Sequence, residues 1–414
     1  QKPLFRADHV GSLLRPEIIK ENRKKFFEDK IISSEELKLI EDTEIKKIVK
    51  LQEELGFKVV TDGEFRRSFW HYDFLEGLDG FELEERESGV QFSGAKLRPF
   101  FPVIKNKIDF PSDHPMLEHF KFVAKNSSVL PKIAIPGPSC CHFRTTPNDI
   151  YPKEYLDNEK LFFDIAQTYK KAVQEFYDIG CRYLQMDDIF FAYLCDPNHR
   201  TTRMKFGEDP DELIEKYAWM LNEAIKDRPK DMTVGMHLCR GNFKSNFAAQ
   251  GAYDPTVDAV FNKIDLDVYF MEYDDERSGG LEPLKYLPKG NKRVMPGFIT
   301  TKQGKLETLD FLQKKFEEAS KYISIDQLGI APQCGFSSTE EGNIISLEDQ
   351  KRKLELEFKS RLNYPSKDTN RIISRNKITT WITKPINTRC YNYVISNKEG
   401  IPKLHCIIAI VWRT

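Results

Sequence analysis

Residues 155–186 read YLDNEKLFFDIAQTYKKAVQEFYDIGCRYLQM, and this stretch decides the fold class. Its first part carries apolar residues, from Leu161 to Phe176, at the three- and four-residue spacing of an amphipathic helix. The pattern stops at Gly180, a residue type that commonly ends helices. Tyr183–Met186 then forms a short apolar run that is typical of a buried strand. A helix followed at once by a buried strand is the repeating unit of an α/β fold.

The same alternation extends along the 414 residues of the chain. Short apolar runs rich in Val, Ile, Phe or Tyr predict eight strands, which helical patterns often separate. The predicted strands are Phe5–Val10, Phe57–Thr61, Lys132–Pro136, Tyr183–Met186, Thr233–His237, Val268–Met271, Arg293–Phe298 and Leu328–Pro332. The predicted helices include Ser34–Leu55, Tyr155–Ile179, Asp209–Ala224 and Thr308–Tyr322. Such a series is typical of a (β/α)8 TIM barrel, although a doubly wound open sheet gives almost the same pattern.

Two segments stand outside this alternation. Residues 66–130, after the second predicted strand, contain one long insertion, in which Gly89–Lys105 alternates apolar and polar residues as an excursion or a hairpin would. Residues 366–414 contain nine Lys or Arg against two Asp or Glu, and the acidic helical character of the preceding segment disappears. We therefore predict one barrel domain over residues 1–362. We interpret residues 363–414 as an atypical tail, either an extra element or sequence unrelated to the ancestral domain, and favour the second interpretation.

The composition excludes several classes of protein. A net charge of −1 speaks against a general binder of polyanions, because phosphate contacts need clustered Lys and Arg. The sequence contains no run of about 18 apolar residues, and Gln1–Arg6 lacks the apolar core of a signal peptide. Eight Cys in 414 residues are too sparse for a disulfide scaffold. We expect a cytoplasmic protein that binds neither nucleic acid nor membrane and keeps its Cys free.

The strongest motif for a functional site is residues 235–242, GMHLCRGN. In an extended segment, His237 and Cys239 point to the same side, and imidazole and thiolate are ligands that suit zinc. Such a pair alone is more often a core His beside an inert Cys. However, Glu272 ends the sixth predicted strand and Cys334 follows the eighth. Because the carboxyl ends of barrel strands face the active site, we expect these four residues to converge on one zinc ion.

A zinc site rich in thiolates suits one type of chemistry. Zinc lowers the pKa of a bound thiol and holds it as the nucleophilic thiolate, so alkyl transfer to sulfur is expected. Two further strand ends are acidic, with Glu64 after the second strand and Asp187 after the fourth. A cavity lined by both carboxylates would suit an ammonium group such as that of an amino acid. Ordinary salt bridges or helix caps explain these two acids about as well.

These motifs together resemble a known family. The sets His237-Leu238-Cys239, Glu272 and Cys334-Gly335 resemble the zinc site of cobalamin-independent methionine synthase. The flanking motifs Val10-Gly11-Ser12, Asp62-Gly63-Glu64, Gln185-Met186-Asp187 and Gly137-Pro138 resemble it too. The similarity covers roughly residues 4–345 and corresponds to the catalytic C-terminal half of the full-length enzymes. The chain therefore resembles the shorter, single-barrel members.

The resemblance implies a fold, a metal and two substrates. It implies a (β/α)8 barrel whose zinc is bound by His237, Cys239, Glu272 and Cys334 and activates the thiol of homocysteine to make methionine. It further implies that Asp187 and Glu64 hold the amino group of homocysteine, with its carboxylate near Val10 and Ser12. The methyl donor of the family is a methyltetrahydrofolate that carries several glutamates.

The sequence departs from the family on the side of the methyl donor. The family has a folate-packing Trp shortly after its Gly-Pro turn, but residues 137–144, GPSCCHFR, contain none. A His that the full-length enzymes place after the seventh strand is also missing, and Lys302 stands within a residue or so of its place as a candidate catalytic proton donor. Another methyl donor, such as a methylated corrinoid or a small methylated sulfur compound, stays an alternative. A purely structural zinc is a further alternative, whereas a decarboxylase on a related barrel fits the ligand chemistry poorly.

Overall fold

The computed structural model describes residues 5–361, so the predicted tail over residues 363–414 lies outside the described part. The fold is α/β, as predicted. The strands are β1 (Val59–Val60), β2 (Asp79–Glu85), β3 (Phe100–Asp109), β4 (Leu130–Pro131), β5 (Ile133–Pro136), β6 (Tyr183–Asp187), β7 (Thr233–Leu238), β8 (Val268–Glu272), β9 (Arg293–Ile299) and β10 (Ala331–Pro332). The α-helices are α1 (Glu17–Phe27), α2 (Ser34–Glu54), α3 (Tyr72–Glu76), α4 (Pro115–Asn126), α5 (Ser139–Phe143), α6 (Asn158–Asp178), α7 (Phe190–Tyr193), α8 (Pro197–Lys205), α9 (Pro210–Ile225), α10 (Leu309–Ala319) and α11 (Leu347–Ser360).

A parallel sheet runs through the centre of the molecule. Its strands lie in the order β10-β9-β8-β7-β6-β5, so consecutive strands are neighbours and helices make the connections. The separate pair β1-β4 is also parallel, and β4 leads through one residue, Lys132, into β5. The insertion between the second and third predicted strands contains the antiparallel hairpin β2-β3, and the alternating segment Gly89–Lys105 overlaps the first part of β3 but not β2. Because parallel strands share one direction, the carboxyl ends of β5 to β10 lie at the same edge of the sheet.

The predicted strands agree best with the structure in the middle of the chain. Each of β6, β7, β8 and β9 starts at the predicted residue and ends one residue later than predicted. These strands are almost wholly buried on both faces, which gives them the continuous apolar runs that the sequence shows. The prediction was longer than the structure for the second and eighth strands, which are reduced to β1 and β10.

The first predicted strand, Phe5–Val10, is not a regular strand. It keeps one parallel bridge, between Ala7 and Ile330. The carbonyls of its last two residues accept hydrogen bonds from the side chains of Lys132 and Gln185. Buried side chains therefore replace part of the backbone ladder that the prediction assumed, and such a replacement leaves no trace in an apolar pattern.

Local signals explain where the longest helices begin. Helix α2 starts with a reciprocal capping box between Ser33 and Glu36. Helix α6 begins three residues later than predicted, because the side chain of Asp157 caps it by accepting from Glu159 N. None of the helices within residues 5–361 has the length and the apolar character that crossing a membrane requires.

Candidate metal centre and its cavity

The ends of β6 and β7 place the first two functional side chains beside each other. Asp187 and His237 are register partners on these adjacent parallel strands. Their side chains therefore leave the sheet on the same face. One carboxylate oxygen of Asp187 lies 3.4 Å from Nδ1 of His237, and both residues are buried. Strand pairing alone thus brings an acid to the imidazole.

His237, Cys239 and Cys334 form a compact cluster of possible metal ligands. One ligand atom from each residue lies within 4.8 Å of the other two, and the sulfur atoms of Cys239 and Cys334 are 3.7 Å apart. At most 4% of the surface of each residue is exposed. Three of the four residues that the sequence predicted as ligands are therefore together.

Hydrogen bonds on both sides of Cys334 fix the loop that carries it. Thr301 donates from its hydroxyl to the side-chain carbonyl of Gln333, at 2.9 Å, and lies 3.0 Å from the backbone carbonyl of Gly335. Asn242, three residues after Cys239, donates to the same Gly335 carbonyl at 2.7 Å. These bonds hold the loop after β10 against the loop after β7. The two sulfur atoms are consequently held together by the scaffold.

The electrostatics of the cluster favour a thiolate beside an imidazolium when no metal is considered. Burial lowers the pKa of His237, but the charge of Cys334 and a hydrogen bond to Asp187 outweigh it and raise the pKa to about 10. Burial raises the pKa of Cys334, but Cys239 and His237 lower it well below the ordinary value for a thiol. A divalent cation would stabilise the same thiolate and take the place of the proton on the imidazole.

Glu272 lies next to this cluster, but its carboxylate oxygens are not among the ligand atoms that converge. Its Oε2 accepts a hydrogen bond of 2.8 Å from Arg240 N, and its Oε1 lies 3.0 Å from Nη2 of Arg277 without hydrogen-bond geometry. Burial raises the pKa of Glu272, but Lys302, Arg240 and Arg277 outweigh it and keep this buried carboxyl ionised. Cys334 and burial raise the pKa of Cys239, and the charge of Glu272 adds to this effect.

The donor set fits zinc. One imidazole and two thiols are ligands that zinc prefers, and a carboxylate with one oxygen free of hydrogen bonds stands beside them. Hard cations such as magnesium and calcium prefer all-oxygen sites, which this cluster does not offer. The residues present therefore suit a tetrahedral or open zinc site.

A cavity with about 530 Å³ of empty space opens onto the metal cluster. Its wall contains seven of the nine site residues predicted from the sequence, namely Val10, Ser12, Glu64, Asp187, His237, Cys239 and Cys334. The other two, Glu272 and Lys302, are not part of the wall. The cavity wall therefore brings together the residues proposed to meet the amino acid and three of the proposed zinc ligands, whose roles stay predictions.

The charge of one acidic residue in the wall, Asp187, acts on the other, Glu64. Burial raises the pKa of Glu64 to about 7; Arg67 acts against this shift and the charge of Asp187 adds to it. Glu64 also adopts a left-handed backbone with φ of 62°, and its Oε2 is buried without a hydrogen bond. A strained, unsatisfied carboxylate in a cavity wall is typical of a binding group.

Lys302 occupies a position that the sequence did not predict. Its Nζ is buried without a hydrogen bond, and the charges that act on it belong to Glu272, Asp274 and Cys334. It therefore lies close to Glu272, Asp274 and Cys334. Its expected role as proton donor to the methyl donor stays a prediction, and its position outside the cavity wall does not support it.

Sequence reasoning missed a second group of residues that line the cavity. Trp70 and His71 stack with their ring centroids 4.3 Å apart, and both line the cavity. Arg144 and Tyr193 lie in the same wall. Trp70 and His71 come from the insertion after the second strand, where no motif points to a site. Arg144 could have been located from its place in residues 137–144, the stretch in which the family carries the folate-packing Trp and this chain does not.

Comparison with known proteins agrees with this geometry. The sequence model of the family described as cobalamin-independent synthase, catalytic domain, matches residues 5–348. The chain belongs to this family. Uncharacterized protein YxjG of Bacillus subtilis is 46% identical over 86% of this chain and 93% of its own length.

Two further relatives define how the chain compares with the enzymes of this family. The 5-methyltetrahydropteroyltriglutamate–homocysteine methyltransferase of Bacillus velezensis is 23% identical over 83% of this chain but only 41% of its own length. A candidate vitamin-B12-independent methionine synthase from Listeria monocytogenes, 38% identical, superposes with a TM-score of 0.70 over 88% of this chain and 98% of that chain. The protein is thus of the methionine synthase type of methyltransferase and matches less than half of the longer enzyme.

Proposed function

We propose that this protein transfers a methyl group to the thiol of homocysteine and forms methionine at a zinc ion. The observation that carries this proposal is the cavity in which a His-Cys-Cys cluster and a pair of carboxylates share one wall. The cluster suits a thiol-binding metal, and the carboxylates suit an ammonium group. Homocysteine carries a thiol and an ammonium group a few bonds apart, so it satisfies both halves of the site.

We assign the zinc ligands as His237, Cys239, Cys334 and Glu272. The first three are supported by the distances between their ligand atoms. Glu272 is supported by its burial beside Cys239 and by an oxygen without a hydrogen bond. When bound, zinc would supply Lewis-acid activation by lowering the pKa of the substrate thiol. Asp187 would hold the imidazole of His237 through Nδ1, as carboxylates commonly do in zinc proteins.

The protein's own residues would then orient the amino acid. Glu64 and Asp187 would receive its ammonium group, and Val10 and Ser12 would face its carboxylate. Ser12 is held in this wall by close packing against Gly335, because a Cβ on that glycine would come within 1.8 Å of the Ser12 hydroxyl. The cavity would exclude bulk water from the sulfur, since its metal-binding wall is buried.

We further propose that the eight strand segments close into a (β/α)8 barrel. Two contacts at the start of the chain support this. Ala7 pairs with Ile330 of the last segment, and Leu13 N donates to the carbonyl of Gly63 after β1 at 2.9 Å. On the other side, Lys132 N donates to the carbonyl of Val60. The first segment therefore has neighbours on both sides, as closure requires.

We propose 5-methyltetrahydrofolate, with one or several glutamates, as the first methyl donor to test. Support comes from the name of the Bacillus velezensis relative and from the family. A methylcorrinoid and a small methylated sulfur compound stay alternatives, because the departures from the family concern the donor side.

The test is an assay of zinc-loaded protein for methionine formation from homocysteine, with each donor in turn. X-ray absorption at the zinc edge, with and without homocysteine, gives a second readout. An added sulfur ligand is expected. An unchanged zinc shell, together with no methionine from any donor, would mean a structural zinc and would refute the proposal.

A further inference from the structure

Arg144 is a half-buried cation without a counter-charge in the described part of the chain. It follows the short helix α5 and lines the cavity described above. Its Nε is buried without a hydrogen bond, and it forms no ion pair with a carboxylate within residues 5–361. Two other arginines near the site each have a carboxylate beside them, since Arg67 lies near Glu64 and Arg277 near Glu272.

The surroundings of Arg144 do not neutralise it. Its guanidinium carbon lies 5.0 Å from the ring centre of Phe190 and 5.7 Å from that of Tyr193. The polar groups that act on it most are the hydroxyl groups of Tyr72 and Tyr193 and the thiol of Cys140. Burial raises the pKa of all three groups, so they are uncharged near neutral pH.

The neighbouring imidazole adds no negative charge either. His71 lines the cavity and is buried, and neither of its ring nitrogens has a hydrogen-bond partner. Burial lowers the pKa of His71 well below its ordinary value, and Arg144 lowers it further, so the ring is neutral. A guanidinium that is partly withdrawn from water and has no counter-charge is costly, and an anionic ligand would remove that cost. His71 can donate one further hydrogen bond to the same anion.

Arg144 and Glu64, which is proposed to bind homocysteine, have different surroundings. The cations that act most on Glu64 are Arg67 and Arg15, whereas Arg144 faces phenols and a thiol. The ammonium and carboxylate of an amino acid share one carbon atom, so both must lie near Glu64. The carboxylate of homocysteine therefore does not account for Arg144.

We propose that Arg144, assisted by His71, binds a carboxylate group of the methyl donor. This inference rests on the proposed function, because it assigns the second substrate of the same site. The donor class is a methylated compound that bears a carboxylate beside a flat or apolar body, which would lie against the rings of Trp70 and Phe190. The guanidinium is suited to this task, because its planar fork matches a carboxylate in two parallel hydrogen bonds.

The test measures binding and does not depend on turnover. Isothermal titration of zinc-loaded protein, saturated with homocysteine, would compare 3-(methylthio)propanoate with its uncharged amide, which has the same shape. The protein, Arg144→Met and Arg144→Lys would be titrated in parallel. Arg182→Met is the matched control, because Arg182 also stacks on a tyrosine, Tyr177 at 3.7 Å, but lies at the surface outside the cavity. Zinc content and circular dichroism would verify that each variant is folded.

We expect the unmodified protein and Arg182→Met to bind the acid about 10- to 100-fold more tightly than the amide, as charge-assisted hydrogen bonds allow. Arg144→Met should lose this preference, and Arg144→Lys should keep part of it. Equal binding of acid and amide by the unmodified protein would overturn the inference, and so would a preference that survives in Arg144→Met. Binding of the acid only when homocysteine is left out would also overturn it, because Arg144 would then serve the amino acid. If the preference follows Arg144 but no donor methylates homocysteine, the anion site stands and the proposed function fails.

Discussion

The substitution Asp187→Asn tests whether Asp187 holds the ammonium group of homocysteine. It keeps the size of the side chain and removes its charge. The oxygen of Asp187 that accepts from Gln185 at 2.9 Å can still do so, because an amide carbonyl is also an acceptor. The substitution therefore changes what Asp187 does in the cavity and leaves its support intact.

The structure gives two expected magnitudes. Loss of a charge-assisted bond to the ammonium group of homocysteine should cost about 1.5–3 kcal/mol, which weakens binding by one to two factors of ten. Asp187 also lies 3.4 Å from Nδ1 of His237, which the sequence could not show. Zinc affinity should therefore fall as well. About tenfold is expected, the lower end of the range for partners of zinc-bound histidines, because 3.4 Å is long for a hydrogen bond.

The assay is a pair of titrations at saturating zinc, with homocysteine and with 4-mercaptobutanoate, which lacks the amino group. The matched control is Asp188→Asn, because Asp188 is equally buried but bonds to Ser139 and does not line the cavity. Homocysteine should bind more weakly to Asp187→Asn, and 4-mercaptobutanoate should be nearly unaffected. An equal loss for both thiols would refute the ammonium role and would leave Glu64 as the amine partner.

Four further predictions concern the metal, the acid pair and the extent of the domain. Cys239→Ser and Cys334→Ser should each lose most of the roughly one zinc per chain, since a hydroxyl is a much poorer ligand than a thiolate. The control Cys195→Ser should keep its zinc, because Cys195 is a buried cysteine bonded to Thr256. Elemental analysis would measure the zinc, and full retention in both site variants would contradict the assignment. Methionine, which has no thiol, should bind more tightly as pH rises through about 7, because the raised pKa of Glu64 leaves this carboxyl protonated below that value. In Glu64→Gln, calorimetry should show a much flatter dependence of methionine affinity on pH. An unchanged pH dependence would exclude Glu64 as the titrating group. By the same raised pKa, Glu64 contributes stability to the unliganded protein that is present below its unfolded pKa and lost as pH rises through about 7, which Glu64→Gln should remove from a series of thermal melts. A chain that ends at Leu362 should stay soluble and keep its zinc, since residues 5–361 carry every proposed ligand; aggregation or metal loss would show that residues 363–414 are needed.

The sequence was sufficient where one physical signal dominates. Strands buried on both faces leave continuous apolar runs, so β6 to β9 could be located to within a residue. The rule that parallel strands present their carboxyl ends at one edge then brought His237, Cys239 and Cys334 together. Both steps depend on local patterns and on a general property of the fold.

The sequence was insufficient where side chains meet across long separations. Nothing local shows that Asp187 would lie beside His237, because that contact depends on the register between two strands about 50 residues apart. The stacked pair of Trp70 and His71 enters the cavity from an insertion whose path no periodicity defines. Glu272 was predicted from its strand end, but its surroundings of Arg240 and Arg277 depend on two loops.

The first segment of the chain has a consequence for how the protein is made. Residue 7 pairs with residue 330, and the side chains of Lys132 and Gln185 hold the carbonyls of residues that follow it. Because chains emerge from the ribosome at about 5–20 residues per second, the first segment must wait on the order of tens of seconds for its partner. Val10 and Ser12 belong to the stretch that waits, so the substrate-binding wall is completed by the last part of the domain to be synthesised. A nascent chain stalled before residue 330 would therefore hold an unpaired edge at its beginning, the kind of exposed surface on which chaperones act.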